Sequence, residues 1–197
     1  MRPERLNAFS DGVIAIIITI MVLELKAPRS ADLGALVQET PEFISYVLSF
    51  TYIAIYWNNH HHLIHACPRV TDGILWANMH LLFWLSLVPF GTAWMGENHF
   101  ATLPTAVYGA LLLMPAIAYY ILQTLIVRLT GPHSSFAEAL GADVKGKISP
   151  LLYAAGIGLA FVSPWISNGI YGLVAVMWLV PDRRIERALA RRQGGRD

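Results

Sequence analysis

The sequence predicts an all-α integral membrane protein, and three observations lead to that class. Hydrophobic residues make up 55% of the 197-residue chain and charged residues 14%, with a mean hydropathy of +0.50. Soluble domains carry about 25% charged residues. Apolar stretches recur along the chain, and several are long enough with their flanks to cross ~30 Å of hydrocarbon. The basic residues then fall almost wholly on one side of the alternation that these stretches create. A net charge of +1 gives no basis for a nucleic-acid partner. The single cysteine, Cys67, excludes an intrachain disulfide and a cysteine-based zinc cluster.

The first predicted helix opens at the N-terminus. From Gly12 to Leu23 there is no charge, and every residue but Gly12 and Thr19 is strongly apolar. A signal peptide would carry a basic head, a short apolar centre and a small-residue exit. Here Asp11 stands at the mouth of the run and no Ala-x-Ala exit follows, so a retained membrane helix is expected, ending near Leu25 where Lys26-Ala-Pro28-Arg29 stops it. A mixed-polarity loop, with room for a short helix, leads to a second long segment over Thr40–Ile64. Cys67-Pro68-Arg69 opens a turn, and a third helix is expected from Ile74 to Trp94, interrupted by Pro89. After the polar turn at Gly96, a fourth helix runs from Leu103 to Leu129, with Pro115 bending it rather than ending it.

Residues Thr130 to Ser149 read as a polar connection. Two shorter apolar runs follow, Pro150–Val162 and Asn168–Val180, separated by Ser163-Pro164-Trp165. A re-entrant hairpin and a pair of short spans both fit them; the pair is the reading adopted, for six spans in all. The small residues Ala154, Ala155, Gly156, Gly158 and Ala160 suit close helix packing. The expected organisation is a single six-helix domain over 1–182 and a basic tail over 183–197.

Charge sets the orientation. With the N-terminus cytoplasmic, the inner segments hold Arg2, Arg5, Arg69, Arg128, Lys145, Lys147, Arg183, Arg184, Arg187, Arg191, Arg192 and Arg196, and the outer segments only Lys26 and Arg29. The 14 basic residues thus divide 12 to 2, a strong positive-inside bias, and both termini are expected in the cytoplasm. The stretch Arg183–Arg192 reads as an interfacial helix against anionic headgroups.

Polar groups within the apolar chain are where function is sought. Arg5 and Asp11 are costly near hydrocarbon unless they pair, reach the interface or face protein. Snorkelling of Arg5 and helix capping by Ser10 or Asp11 is one account of them. At roughly 100° per residue, Ile16, Thr19 and Leu23 lie within about 60° of one another, and Asp11 about 140° round from Ile16. The geometry permits those three to line a pore without requiring it, because the helix is apolar all round. The densest polar cluster is Trp57-Asn58-Asn59-His60-His61-His62, followed by His65. His61 and His65 share a helix face, a spacing that could serve a metal. A membrane metal enzyme at His60/His61/His65 would need further ligands, however, and His80, His99 and His133 are dispersed. The alternative is a hydrogen-bond network at the cytoplasmic end of the second helix, joining Asp11 to a histidine or asparagine.

The run Arg5-x-x-x-Phe9-Ser10-Asp11, continued by an Ile/Val-rich helix containing a threonine, resembles the signature of the transmembrane protein 175 family of potassium channels. In that family it opens the first helix of each six-helix repeat. The resemblance extends to a Trp followed three residues later by His, matched by Trp57 and His60, and to an asparagine in the third helix, for which Asn78 is the candidate. It implies that the first helices surround a pore, with Ile16 at the hydrophobic constriction, Thr19 helping to discriminate ions and Leu23 in an outer apolar ring. Phe9, Ser10 and Asp11 would dock against Trp57, His60 and Asn78.

One motif copy makes a single repeat, whereas animal relatives join two, so a homotetramer of identical subunits is implied. The resemblance covers helices one to three by pattern and helices four to six by count and topology. No Thr-Val-Gly-Tyr-Gly filter occurs, so selection would rest on the constriction, Thr19 and ion hydration. The implied function is a leak-type, potassium-permeable cation channel of the prokaryotic plasma membrane, with weak voltage dependence, no enzymatic activity and no cofactor. Its partners would be potassium ions, the lipid bilayer and its own copies. The competing classes are the membrane metal enzyme and a secondary cation transporter. The latter usually places an ionisable residue at the membrane midplane.

Overall fold

In the computed structural model, residues 1–131, 134, 137, 140 and 143–179 are described, and they form helices and connecting turns. The tail over 183–197 and its expected interfacial helix lie outside the described residues. The helices are α1 (Pro3–Leu23), α2 (Leu33–Gln38), α3 (Thr40–His65), α4 (Asp72–Ser86), α5 (Val88–Glu97), α6 (Thr102–Thr130), α7 (Val144–Leu159) and α8 (Pro164–Leu179). By length and apolar composition, Pro3–Leu23, Asp72–Glu97 and Thr102–Thr130 can each cross a membrane.

Local chemistry explains most of the boundaries. Pro3 and Pro41 sit in the first turns of α1 and α3, where a missing N–H costs nothing. The Asp32 carboxylate caps α2 by accepting from the Ala35 amide at 2.8 Å, and the Thr71 hydroxyl accepts from Ile74 at the start of α4. Pro89 cannot donate to the helical ladder, so the third apolar segment divides at Leu87 into α4 and α5. Pro115, by contrast, lies inside an uninterrupted α6.

The second half departs from the expected boundaries. Helix α7 begins at Val144 and carries Pro150 within it, so residues 144–149, expected as polar connection, are helical. Its cap is Asp143, in the left-handed region at φ 42°, whose carboxylate accepts from the Gly146 amide. The reason is packing: α7 lies along α6 and is held there through its first turn, which outweighs the one hydrogen bond that proline removes. Helix α8 begins at Pro164 rather than Asn168, again with proline in the first turn. Of the small residues in α7, Gly156 is the one at which a close approach occurs: a Cβ there would stand 2.5 Å from the Tyr171 ring. Around Gly158 there is open space, and Ala154 and Ala155 are exposed.

Among the described residues, two apolar cores result. One joins α1, α3, α4 and the second half of α6 through Leu6, Ile14, Ile17, Ile53, Leu81 and Leu122. The other joins α3, α5, α6, α7 and α8 around Tyr52, Tyr108, Tyr153 and Tyr171. Tyr52 donates to the Tyr171 carbonyl at 2.5 Å, and Tyr108 shares a 2.8 Å bond with Ser49.

The helix ends gather at two levels. At one level the start of α1 meets the end of α3 and the start of α4, and Gln123 meets Asp143. Trp178, at the end of α8, donates to Ser149 at this same level. At the other, Lys26 pairs with Glu97, which raises the lysine pKa above its usual value, and Phe100 packs on Trp165. That arrangement places the seat of α1 at one end of the bundle.

Candidate functional site: the seat of the first helix

Helix α1 presents two unlike faces. Leu6, Ser10, Ile14, Ile17 and Met21 are buried against α3, α4 and α5. Their spacing of three or four residues keeps them on one stripe. About 140° round, at roughly 100° per residue, lies a second stripe of Phe9, Gly12, Ile16, Thr19 and Leu23. This stripe faces out of the chain: Phe9 is 51% exposed, Ile16 60% and Leu23 75%.

The buried stripe is tied down by a polar relay. His60 shares a 2.7 Å hydrogen bond with the Asn78 amide oxygen, and the Asn78 amide nitrogen donates to Ser10 Oγ at 3.0 Å. Ser10 donates in turn to the Leu6 carbonyl at 2.9 Å. All three side chains are 0% exposed. The directions follow from one another. Because Ser10 gives its proton to Leu6, it must accept from Asn78; the Asn78 oxygen then accepts, and His60 must carry its proton on Nε2. Nδ1 of His60 is left buried without a partner. Three helices are thus joined by side chains whose removal would orphan buried groups.

A second bond flanks the relay. Trp57 Nε1 donates to Asp11 Oδ1 at 2.9 Å, and Asn7 donates to the other carboxylate oxygen at 2.8 Å. Asp11 therefore meets an asparagine on its own helix and a tryptophan on α3, while His60 turns to α4. Phe9 and Arg5 do not join this group; both are exposed. Asn7 is the participant that sequence reasoning missed. Its signal was present, since positions 7 and 11 are one turn apart on a helix.

Thr19 donates to the Ala15 carbonyl at 2.8 Å. Its hydroxyl proton is thereby turned back along the helix, and the oxygen keeps both lone pairs for acceptance. At the end of α3, His61 and His65 meet edge to face with ring centroids 4.3 Å apart, and among the described residues no group of three or more His, Cys, Asp or Glu is arranged to hold a metal. His80 accepts from Trp84 at 2.8 Å, the behaviour of a packing residue. Cys67 is buried in its loop and donates to the Arg69 carbonyl.

The stretch that carries this seat matches a family profile, and the chain as a whole matches known proteins. A sequence profile of the family described as endosomal/lysosomal potassium channel TMEM175 matches residues 5–89. A potassium channel of Chryseobacterium sp. is 52% identical over 189 residues, covering 96% of this chain and 98% of that protein. The chain belongs to the TMEM175 family. A second relative, named a potassium channel of Streptomyces collinus, is 31% identical over 185 residues, 88% of this chain and 90% of that one. Among solved structures, a lysosomal potassium-selective channel TMEM175 homologue from Chamaesiphon minutus superposes with a TM-score of 0.79 at 28% identity. It covers 90% of this chain and 96% of its own. TMEM175 proteins are channels and not enzymes, so the metal-enzyme reading of the histidine cluster falls with the family assignment.

Proposed function

We propose that the chain is one subunit of a potassium-permeable, leak-type cation channel, with the outward stripe of α1 lining the pore. The observation that carries this is the contrast between the two faces of α1. One face is locked by packing and a buried relay, while the other carries Ile16, Thr19 and Leu23 in register, exposed, with nothing among the described residues to cover them. One helix cannot enclose a pore, and a closed ring of identical subunits supplies the missing walls. In a homotetramer the Ile16 side chains form the constriction and Leu23 an outer apolar ring. The Thr19 oxygens, with their protons held by Ala15, offer acceptors to a passing cation.

The same reading has six spans per chain in a prokaryotic plasma membrane, with both termini cytoplasmic. The alternation of helix ends between two levels supports the six spans, and the positive-inside bias supports the orientation. At 16 residues each, α7 and α8 extend about 24 Å, short of ~30 Å of hydrocarbon, so they would cross with help from their flanks.

The test is ion flux through purified protein in liposomes under separate potassium and sodium gradients, wild type beside Ile16→Asn. A polar side chain should wet the constriction, so larger or less selective flux is expected from the variant. Flux unchanged by the substitution would move the pore to another face.

A further inference from the structure

Away from α1, a cavity lies between α3, α6, α7 and α8, on the side of the bundle where α3 and α8 end and α7 begins. Its water-accessible space is about 40 Å³, room for more than one water at roughly 10–15 Å³ each by the same measure. Its walls are aromatic: Tyr56, Tyr119, Tyr153 and Trp178 line it, with Tyr56 and Tyr119 edge to face at a centroid distance of 6.1 Å. Among the described residues, one carboxylate, that of Asp143, reaches the lining, and no Lys or Arg does.

The hydrogen bonds around the cavity give it a polarity. Gln123 donates to Asp143 at 2.7 Å, and Asn59 to the Ile55 carbonyl at 2.8 Å. Trp178 donates to Ser149 at 2.8 Å and Ser149 to the Lys145 carbonyl at 2.7 Å, while Tyr119 donates to the Asn59 carbonyl at 3.3 Å. These donors are committed, while the Tyr56 hydroxyl in the lining can both donate and accept. The Asp143 carboxylate takes one bond from Gln123 and one from the Gly146 amide, which occupies about half of its roughly four lone-pair directions. Electron-rich ring faces and an anionic acceptor in one enclosure are complementary to a compact cation that can donate several hydrogen bonds.

We infer that this cavity binds a primary ammonium group, with the aromatic walls against its alkyl stem and Asp143 against its charge. The ammonium of an aminophospholipid headgroup and that of a soluble alkylamine share this chemistry. The site shares no residue with the α1 stripe, so it stands or falls apart from the pore assignment.

Calorimetric titration of the full chain in maltoside, with n-butylammonium and with n-butanol, tests it. Wild type should bind the ammonium at least about tenfold more tightly than the alcohol. Asp143→Asn should remove most of that preference while keeping a residue that tolerates φ 42° and can still cap α7. Should thermal unfolding show that this variant is damaged, Tyr119→Leu provides the second arm. It keeps the carboxylate, removes one aromatic wall and should weaken butylammonium binding about three- to tenfold. Equal binding of alcohol and ammonium, or ammonium binding indifferent to both substitutions, would overturn the proposal.

Native mass spectrometry of protein extracted from phosphatidylethanolamine and phosphatidylglycerol liposomes separates the sources. Ethanolamine lipid retained by wild type and lost from Asp143→Asn assigns the headgroup. Butylammonium binding without such retention assigns a soluble amine. Neither would reject the site.

Discussion

The two faces of α1 differ in who completes them. The inward face is finished within the chain: Ile14 is 1% exposed, Ile17 2%, and Ser10 sits at the end of a relay from α3 and α4. The outward face has the same apolar chemistry, but its side chains end in open space. Composition does not distinguish the two, since Ile14, Ile16 and Ile17 are the same residue. What distinguishes them is Ser10, because a buried hydroxyl needs partners and its partners lie on one side only. Ser10, with Asp11 beside it bonded to Trp57, thus helps to set the rotation of the apolar residues that follow.

Several substitutions should break or sharpen that contrast. The largest effect is expected from Ile14→Ala, which leaves a cavity beneath α1 and should cost about 2–4 kcal/mol. Ile16→Ala, one half-turn away on the open face, should change stability by no more than ~0.5 kcal/mol. Thermal unfolding of the two variants in detergent gives the comparison directly, and equal losses would mean that the faces are not distinct.

Asn78→Leu is expected next, at about 1–3 kcal/mol, because it orphans the His60 N–H and removes the donor to Ser10. Relaxation of α1 should accompany it, read as faster hydrogen exchange at Ser10 and Ile14. Trp57→Phe removes only a partly exposed bond to Asp11 and should cost about 1 kcal/mol. Thr19→Val, nearly isosteric, should leave stability within a few tenths of a kcal/mol while reducing the preference for potassium over sodium. An unchanged permeability ratio for that variant would remove Thr19 from the selective region.

Much of the first half was legible from residues alone. The long segment from Thr40 anticipated α3, Pro89 marked the division of the third segment, and the apolar run from Gly12 marked α1. The second half was less legible, because residues 144–149 are polar in composition yet helical, held by packing on α6 and by a capping aspartate in an unusual backbone conformation. In the seat, the motif pointed to Phe9, Ser10, Asp11, Trp57, His60 and Asn78 as a group, but Phe9 is exposed and the pairing among the others was not readable. Asp11 meets Trp57 and Asn7, while His60 meets Asn78. Hydrogen-bond partners across helices depend on rotation and axial offset, which no spacing along one helix encodes.

By itself the sequence determined that this is a helical membrane protein. It also carried the motif of a channel family at its first helix. Those properties follow from composition and local periodicity, which each segment holds on its own. Only the tertiary structure decided which face of α1 is turned inward, which acceptor each polar group meets and where an aromatic cavity closes around Asp143. In hydrocarbon an apolar helix has no preferred face, and its rotation is settled by the few polar groups that must find partners on neighbouring helices.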